Sequence, residues 1–266
     1  MIGPERLFPA GFPPARREPL FGSLSDVTEL LSWEDLERVI EARCFDGTGS
    51  RVIQRALNLP AVGLSRVCVL TNGESVWRAP RSTTLAELRA RLGGVTLRVE
   101  ALEEVHPPIA ELARALSLPG CAVYVNAYAA WSSSRGLALH YDYGDNLAIQ
   151  VYGRKHWKIY RPTREPIRGP ESSAYKESLQ AAARGESMDA LDELNRVRSR
   201  LFWEGELRAG DTLYMPPGWF HEVTPVGEPT LHLACEFRIP DKSLAAVETI
   251  QLPDALRATT ALSAVG

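Results

Sequence analysis

The run LALHYDYGDN, residues 137–146, begins as an alternation of apolar and small residues and ends on a histidine, an aspartate and a Gly-Asp turn. In an extended chain, residues two apart share a face. His140 and Asp142 therefore look to one side, and Leu137 and Leu139 to the other. Two metal-binding side chains at this spacing suit a chelate held on the wall of a β-structure. Alone, His-x-Asp equally describes a surface histidine beside a turn aspartate, so its reading depends on the surrounding sequence.

The surroundings are strand-like. From Cys121 onward, CAVYVNAY, RGLALHYD, NLAIQVYG, KHWKIY, DTLYM, FHEVTPV and TLHLACEFRI are short runs separated by Gly, Pro, Asp and Ser. Serial short strands with turn signals imply a sandwich or barrel. Residues 171–201 interrupt them. They are helical in composition and broken at Gly185, which predicts two helices inserted between barrel strands. Upstream, residues 1–19 are rich in Pro, Gly and Arg and read as an extended arm. A helix is expected from Ser25 to about Arg43, capped by Asp26 or Ser32. VCVL (67–70) and VTLRVEAL (95–102) read as strands, and STTLAELRARLGG (82–94) as a helix. Pro107 and Pro108 open a further helix running to about Leu116. The expectation is one domain over 1–266. Its parts are the arm, a helix and strand region at 20–120, a β-core at 121–240 with a helical insertion at about 165–201, and a tail at 241–266.

Composition bounds the function. The chain has 266 residues, 45% of them hydrophobic, enough for one sizeable core. With 30 basic and 33 acidic residues the formal charge is −3, which gives no electrostatic ground for a nucleic-acid or anionic-membrane partner. No apolar run approaches the roughly 18–20 residues of a bilayer span. The N-terminus, MIGPERLFPAGFPPARREPL, lacks the basic start and apolar core of a signal peptide. Cys44, Cys68, Cys121 and Cys235 are scattered, with no CxxC pair. They read as reduced, mostly buried thiols of a cytoplasmic protein.

A second stretch strengthens the first. In LRAGDTLYMPPGWFHEV (207–223), a Gly-Asp turn precedes a strand, and a rigid Pro-Pro-Gly turn delivers His221 to the mouth of the next strand. His140, Asp142 and His221 supply two imidazoles and a carboxylate. On one face they leave coordination positions open, which is the facial arrangement of non-haem Fe(II) oxygenases. A structural zinc more often closes its shell with cysteine. In RKHWKIY (154–160), Lys155 shares a face with Trp157 and Ile159 and so points inward. A buried ammonium is costly unless paired. Either it snorkels out at the strand end or pairs with an internal acid, or it is the counter-charge for an entering carboxylate.

Taken together, NAYAAWSSSRGLALHYDYGDNLAIQVYGRKHWKIYRP (126–162) and the 207–223 stretch resemble the JmjC-type cupin oxygenases of the ribosomal-oxygenase branch. The shared pattern is an Asn-x-Tyr strand, His-x-Asp, Gly-Arg-Lys-x-Trp, a Gly-Asp strand and a Pro-x-Gly-Trp-x-His turn. The resemblance covers about 200 residues and extends more loosely upstream to about Glu18. It implies a double-stranded β-helix (jelly-roll, cupin) core with N-terminal helices and a helical insertion, and a hydroxylase using Fe(II), 2-oxoglutarate and O2. His140, Asp142 and His221 match the iron ligands. Lys155 matches the partner of the distal carboxylate of 2-oxoglutarate, Asn126 an Asn lining the cosubstrate pocket, and His232 a histidine on a late core strand. The chain departs from the pattern at Ala209, where Pro is usual. Its 26 residues after Pro240 also leave no room for the helical dimerisation region and winged-helix domain of that branch. The expected substrate is an amino-acid side chain in a peptide or protein. A free amino acid or small natural product, and a metal-binding cupin without turnover, are the alternatives, and a homodimer is left open. Trp131, Ser132–Ser134, Tyr141, Tyr143 and Asp145 are candidates for the substrate mouth. The inserted helices and the arm are candidates for substrate cover or dimer contact.

Overall fold

The computed structural model describes residues 17–45, 64–71, 75–80, 95–130, 137–167 and 170–238. The expected helix at 82–94, the tail at 241–266, Trp131 and Ser132–Ser134 lie outside them.

Eight strands from Ala122 onward form two antiparallel layers. β5 (Ala122–Ala130), β7 (Asp145–Tyr152), β10 (Asp211–Met215) and β12 (Thr230–Arg238) lie in one sheet, in the order β10-β7-β12-β5. β6 (Leu137–His140), β8 (Arg154–Tyr160), β9 (Leu201–Arg208) and β11 (Phe220–Pro225) form the other, in the order β6-β11-β8-β9. The chain passes back and forth between the layers, which is the winding of a double-stranded β-helix, or jelly roll. The first sheet is extended by β1 (Leu20–Ser23) on β10, and by β4 (Val95–Val99), β2 (Leu64–Thr71) and β3 (Ser75–Pro80) beyond β5.

The alternation along each strand explains both the core and the site. On β7, Leu147, Ile149 and Val151 point outward, as do Val123, Val125, Ala127 and Ala129 of β5 and Leu231, Leu233, Cys235 and Phe237 of β12. They meet α1 (Trp33–Phe45) and α2 (Pro107–Leu116), whose Leu36, Ile40, Ile109, Leu112 and Leu116 complete the largest buried cluster. Burying each such side chain contributes roughly 1.5–3 kcal/mol. The intervening residues, Asn126 and Tyr128, Asn146 and Ala148, and His232 and Ala234, face the other way, into the roll.

The insertion forms α3 (Pro170–Ala183) and α4 (Leu191–Arg198), parted near Gly185 as expected. Their Leu179, Ala182, Leu194 and Val197 pack on Leu139, Tyr141, Tyr160 and Phe220. They therefore cover the outer face of the second sheet, behind the expected site. The two helices end at Arg198, and residues from Leu201, which were not among the expected strands, pair with β8 as β9. Its Phe202 and Trp203 pack against the inter-sheet cluster of Trp157, Ile159, Leu213 and Trp219.

Two upstream boundaries are corrected. The expected helix from Ser25 to Arg43 is broken: β1 is followed by a 3-10 turn at Val27–Glu29, and α1 starts only at Trp33. Asp26 is left-handed, with φ 57°, and makes no side-chain cap. Ser32 is the cap. Its Oγ accepts from Asp35 N at 3.0 Å, and Asp35 Oδ2 accepts from Ser32 Oγ at 2.6 Å, an interaction worth about 1 kcal/mol. The strand expected over 95–102 ends at Val99, and Leu102–Glu104 is a 3-10 turn. Among the described residues no helix is long and apolar enough to cross a membrane.

Gly153 makes the corner from β7 to β8 at φ 61°, and a Cβ there would stand 2.3 Å from the Pro229 carbonyl oxygen. Gly185, at φ 75°, has open space where its Cβ would be. Gly153→Ala is expected to cost about 2–4 kcal/mol in urea unfolding, since backbone must move. Gly185→Ala should cost only about 1–2 kcal/mol, the left-handed strain alone. Equal costs would contradict this account of the corner.

Candidate functional site

The two layers bring the expected residues together inside the roll. His140 ends β6 directly opposite His221 on β11, and their ring centroids are 4.1 Å apart. Asp142 lies past the end of β6, not on the strand as its spacing suggested. Its loop is tied to the Pro-Pro-Gly turn, with Gly218 N donating to the Asp142 carbonyl at 2.9 Å. One ligand atom from each of His140, Asp142 and His221 falls within 4.8 Å of the others.

Both imidazoles are oriented through Nδ1 by backbone carbonyls. His140 Nδ1 is 2.8 Å from the Ala138 carbonyl, and His221 Nδ1 is 3.1 Å from that of Trp219. A carbonyl only accepts, so each Nδ1 carries the proton and each Nε2 presents a lone pair. His221 Nε2 stands 3.9 Å from Asp142 Oδ2. Burial holds the pKa of His140 and His221 below the ordinary histidine range, and the nearness of His140 lowers His221 further. Both rings are neutral at pH 7, the form that binds a metal. Burial pushes the Asp142 carboxyl up. His221, His140, a hydrogen bond from Asn146 and the Lys176 ammonium more than offset this, so it is lowered and stays ionised. Two neutral nitrogen donors and one carboxylate fit a divalent first-row ion with open positions.

Lys155 is 1% exposed. It neither snorkels nor, among the described residues, meets a carboxylate. Its Nζ donates to the Tyr128 carbonyl at 2.9 Å and lies 2.7 Å from His232 Nδ1. Burial lowers its pKa to about 7. When the lysine is charged it can only donate, so His232 Nδ1 accepts and Nε2 bears the proton. His232 stacks on Tyr128 at 4.9 Å and lines the cavity at His140, Asp142 and His221. Trp157, stacked on His221, lines it too, and its Nε1 is a buried donor with no partner among the described residues. This cavity encloses about 360 Å³, including its mouth.

The other candidates divide. Asn126 does not line that cavity. It faces an adjoining open cleft of about 1040 Å³ and accepts from Ala101 N at 3.1 Å. Tyr143 also lines the cleft. Tyr141 turns the opposite way, into the cluster behind the sheet, with its hydroxyl on the Ile167 carbonyl at 2.9 Å. Asp145 is buried against Arg17, at 2.8 Å, and the Tyr214 hydroxyl. It anchors the N-terminal segment, where Trp219 Nε1 donates to the Arg17 carbonyl at 3.0 Å. Two residues were missed. Lys176 of α3 lies 4.3 Å from the Tyr143 ring and 4.6 Å from that of Tyr141, near Asp142. No strand rule locates it, because it comes from the insertion. Asn146 donates to Asp142 Oδ2 at 3.1 Å. Its position two before Ala148 on β7 was the available signal.

Comparison with known proteins agrees with this geometry. A stretch of 115 residues is 35% identical to a Drosophila persimilis protein named bifunctional lysine-specific demethylase and histidyl-hydroxylase NO66, covering 42% of this chain and 14% of that protein. Bos taurus ribosomal oxygenase 2 is 33% identical over 109 residues, 41% of this chain and 19% of its own length. The matched stretch is thus a small part of both relatives. The crystal structure of the Escherichia coli ribosomal oxygenase YcfD superposes with a TM-score of 0.52 at 19% identity, covering 91% of this chain and 52% of that one. A structure of YcfD is described as a complex with cobalt and 2-oxoglutarate. The JmjC domain model matches residues 103–244, more than half of the chain and all three metal-binding candidates. The chain belongs to the JmjC domain family.

Proposed function

We propose that this protein is an Fe(II)- and 2-oxoglutarate-dependent oxygenase that hydroxylates an unactivated C–H bond on an amino-acid side chain of a peptide or protein. The observation that carries the reading is one interior holding both His140, Asp142 and His221 within 4.8 Å and a buried lysine without a carboxylate partner among the described residues. When bound, Fe(II) with 2-oxoglutarate and O2 supplies the oxidising chemistry, with succinate and CO2 as coproducts. The chain holds the metal through two imidazole nitrogens and a carboxylate. Lys155 offers a charge-assisted bond to the distal carboxylate of the oxo-acid, and His232 and Trp157, lining the same cavity from the two facing sheets, add neutral donors. The apolar lining, Ala148, Leu213, Met215 and Val223 among it, limits water around the reacting atoms. Asn126 and Tyr143 belong to the cleft where substrate enters. The relatives' names, a histidyl-hydroxylase and a ribosomal oxygenase, favour a peptide or protein over a small molecule. Cys121 and Cys235 are free and buried, in keeping with a cytoplasmic location.

Anaerobic titration with Fe(II) and 2-oxoglutarate tests the reading through the weak visible charge-transfer band of the chelate. The band should appear, vanish in His140→Ala, and need roughly ten- to hundredfold more 2-oxoglutarate in Lys155→Ala. A folded protein without the band would overturn the assignment. A band without succinate on exposure to O2 and candidate peptides would leave a binding cupin.

The lysine also predicts a pH dependence. Between about pH 7 and 10.5 the unfolded chain keeps the Lys155 proton and the folded metal-free protein has lost it. Raising the pH then favours the folded state, by up to about 1.4 kcal/mol per pH unit. Urea unfolding of metal-free protein at pH 7.5 and 8.5 should show this gain, and Lys155→Met should lack it. Saturating metal with 2-oxoglutarate should also flatten it, because the carboxylate keeps the ammonium charged. The same slope in Lys155→Met would assign the effect to other groups.

A further inference from the structure

We infer that Asn146 is a positioning residue for Asp142, kept in a conformation that costs the fold stability so that the carboxylate faces the two imidazoles. The inference rests on the metal-binding reading above. Asp142 lies beyond the end of β6, so strand pairing does not fix its side chain. Asn146 is fixed. It sits on β7 with Met215 paired on one side and Glu236 on the other. Its Nδ2 donates to the oxygen of Asp142 that stands 3.9 Å from His221 Nε2.

The carboxamide has a second end. A carboxylate oxygen cannot donate, so the orientation is compelled: Nδ2 faces Asp142 and Oδ1 faces away. Among the described residues Oδ1 is buried without a hydrogen-bond partner. An unmet buried acceptor is a net cost, and costs of this kind persist where a site requires the geometry. Without the amide, the carboxylate is free to turn toward solvent or toward the Lys176 ammonium, which already bears on its ionisation. Loss of a partner that orients a ligand typically weakens metal binding ten- to hundredfold.

Asn146→Leu tests this, because it keeps the shape and removes both polar ends. Asn146→Ala is the second variant should leucine fold poorly. Co(II) alone is titrated by calorimetry and by its visible bands into the wild type, His140→Ala and the Asn146 variants. Metal-free stability is measured in urea. The expected result is a split: Co(II) affinity ten- to hundredfold weaker in Asn146→Leu with altered bands, and metal-free stability equal to or above wild type. If the wild type binds no Co(II), or His140→Ala binds as well, the metal reading itself fails. If binding depends on His140 but both Asn146 variants bind within twofold of wild type, the metal reading stands and the positioning role is overturned. If both variants lose stability in step with affinity, Asn146 is a structural residue and the inference is overturned.

Discussion

His140 stands directly across the β6–β11 ladder from His221, and this rung fixes what the rest of the second sheet does. Strand side chains alternate, so slipping this pairing by one residue would turn every side chain of β6 to the opposite face. Leu139 would enter the cavity, and the His140 imidazole would be driven into the apolar cluster under α3 and α4. The cluster and the imidazole pair are therefore two readings of one register. The helices behind the sheet, which among the described residues reach the site only through Lys176 of α3, stabilise it by making the wrong register expensive.

The same alternation gives this jelly roll an unusual division of labour. Its largest apolar cluster lies outside the roll, between the first sheet and the N-terminal helices. The interior is mixed, and burial acts there in one direction on every base: His140, His221, His232 and Lys155 are all lowered. A region that discharges its own cations is suited to accept a metal ion and an anion from outside, since both restore charges it has suppressed.

Most of this was legible because period-two patterns are explicit in sequence. NLAIQVYG, TLHLACEFRI and KHWKIY carry their inward and outward residues openly, and the Pro-Pro-Gly turn before His221 marks where a strand restarts. What was not legible has physical causes. β9 was hidden because LFWEGELR follows directly on a helical segment and carries charges on an edge strand. The start of α1 was misplaced because Asp26 looks like a cap, yet takes a left-handed conformation that bends the chain instead. Tyr141 and Asp145 were grouped with the mouth for their nearness to His140, but nearness along a strand and its turn says nothing of direction. Tyr141 follows Leu139 outward, and Asp145 belongs to the next strand. Asn146 was quoted and passed over because an isolated Asn after Gly-Asp reads as turn chemistry until the strand register is known.

The winding of the roll also sets an order in time. β6 carries its histidine long before the chain supplies the partner strand, about 80 residues later, and closing so long a loop is a slow, entropically opposed step. β5 likewise waits for β12, which lies at the far end of the described chain. The cluster of His140, Asp142 and His221 cannot exist in a half-made molecule. A chain emerging during synthesis therefore presents one imidazole and one carboxylate, a weak and unselective chelate. Only docking of β11 turns that pair into a site with a defined geometry. Late assembly of this kind means that the three donors meet in their final geometry only in the finished fold.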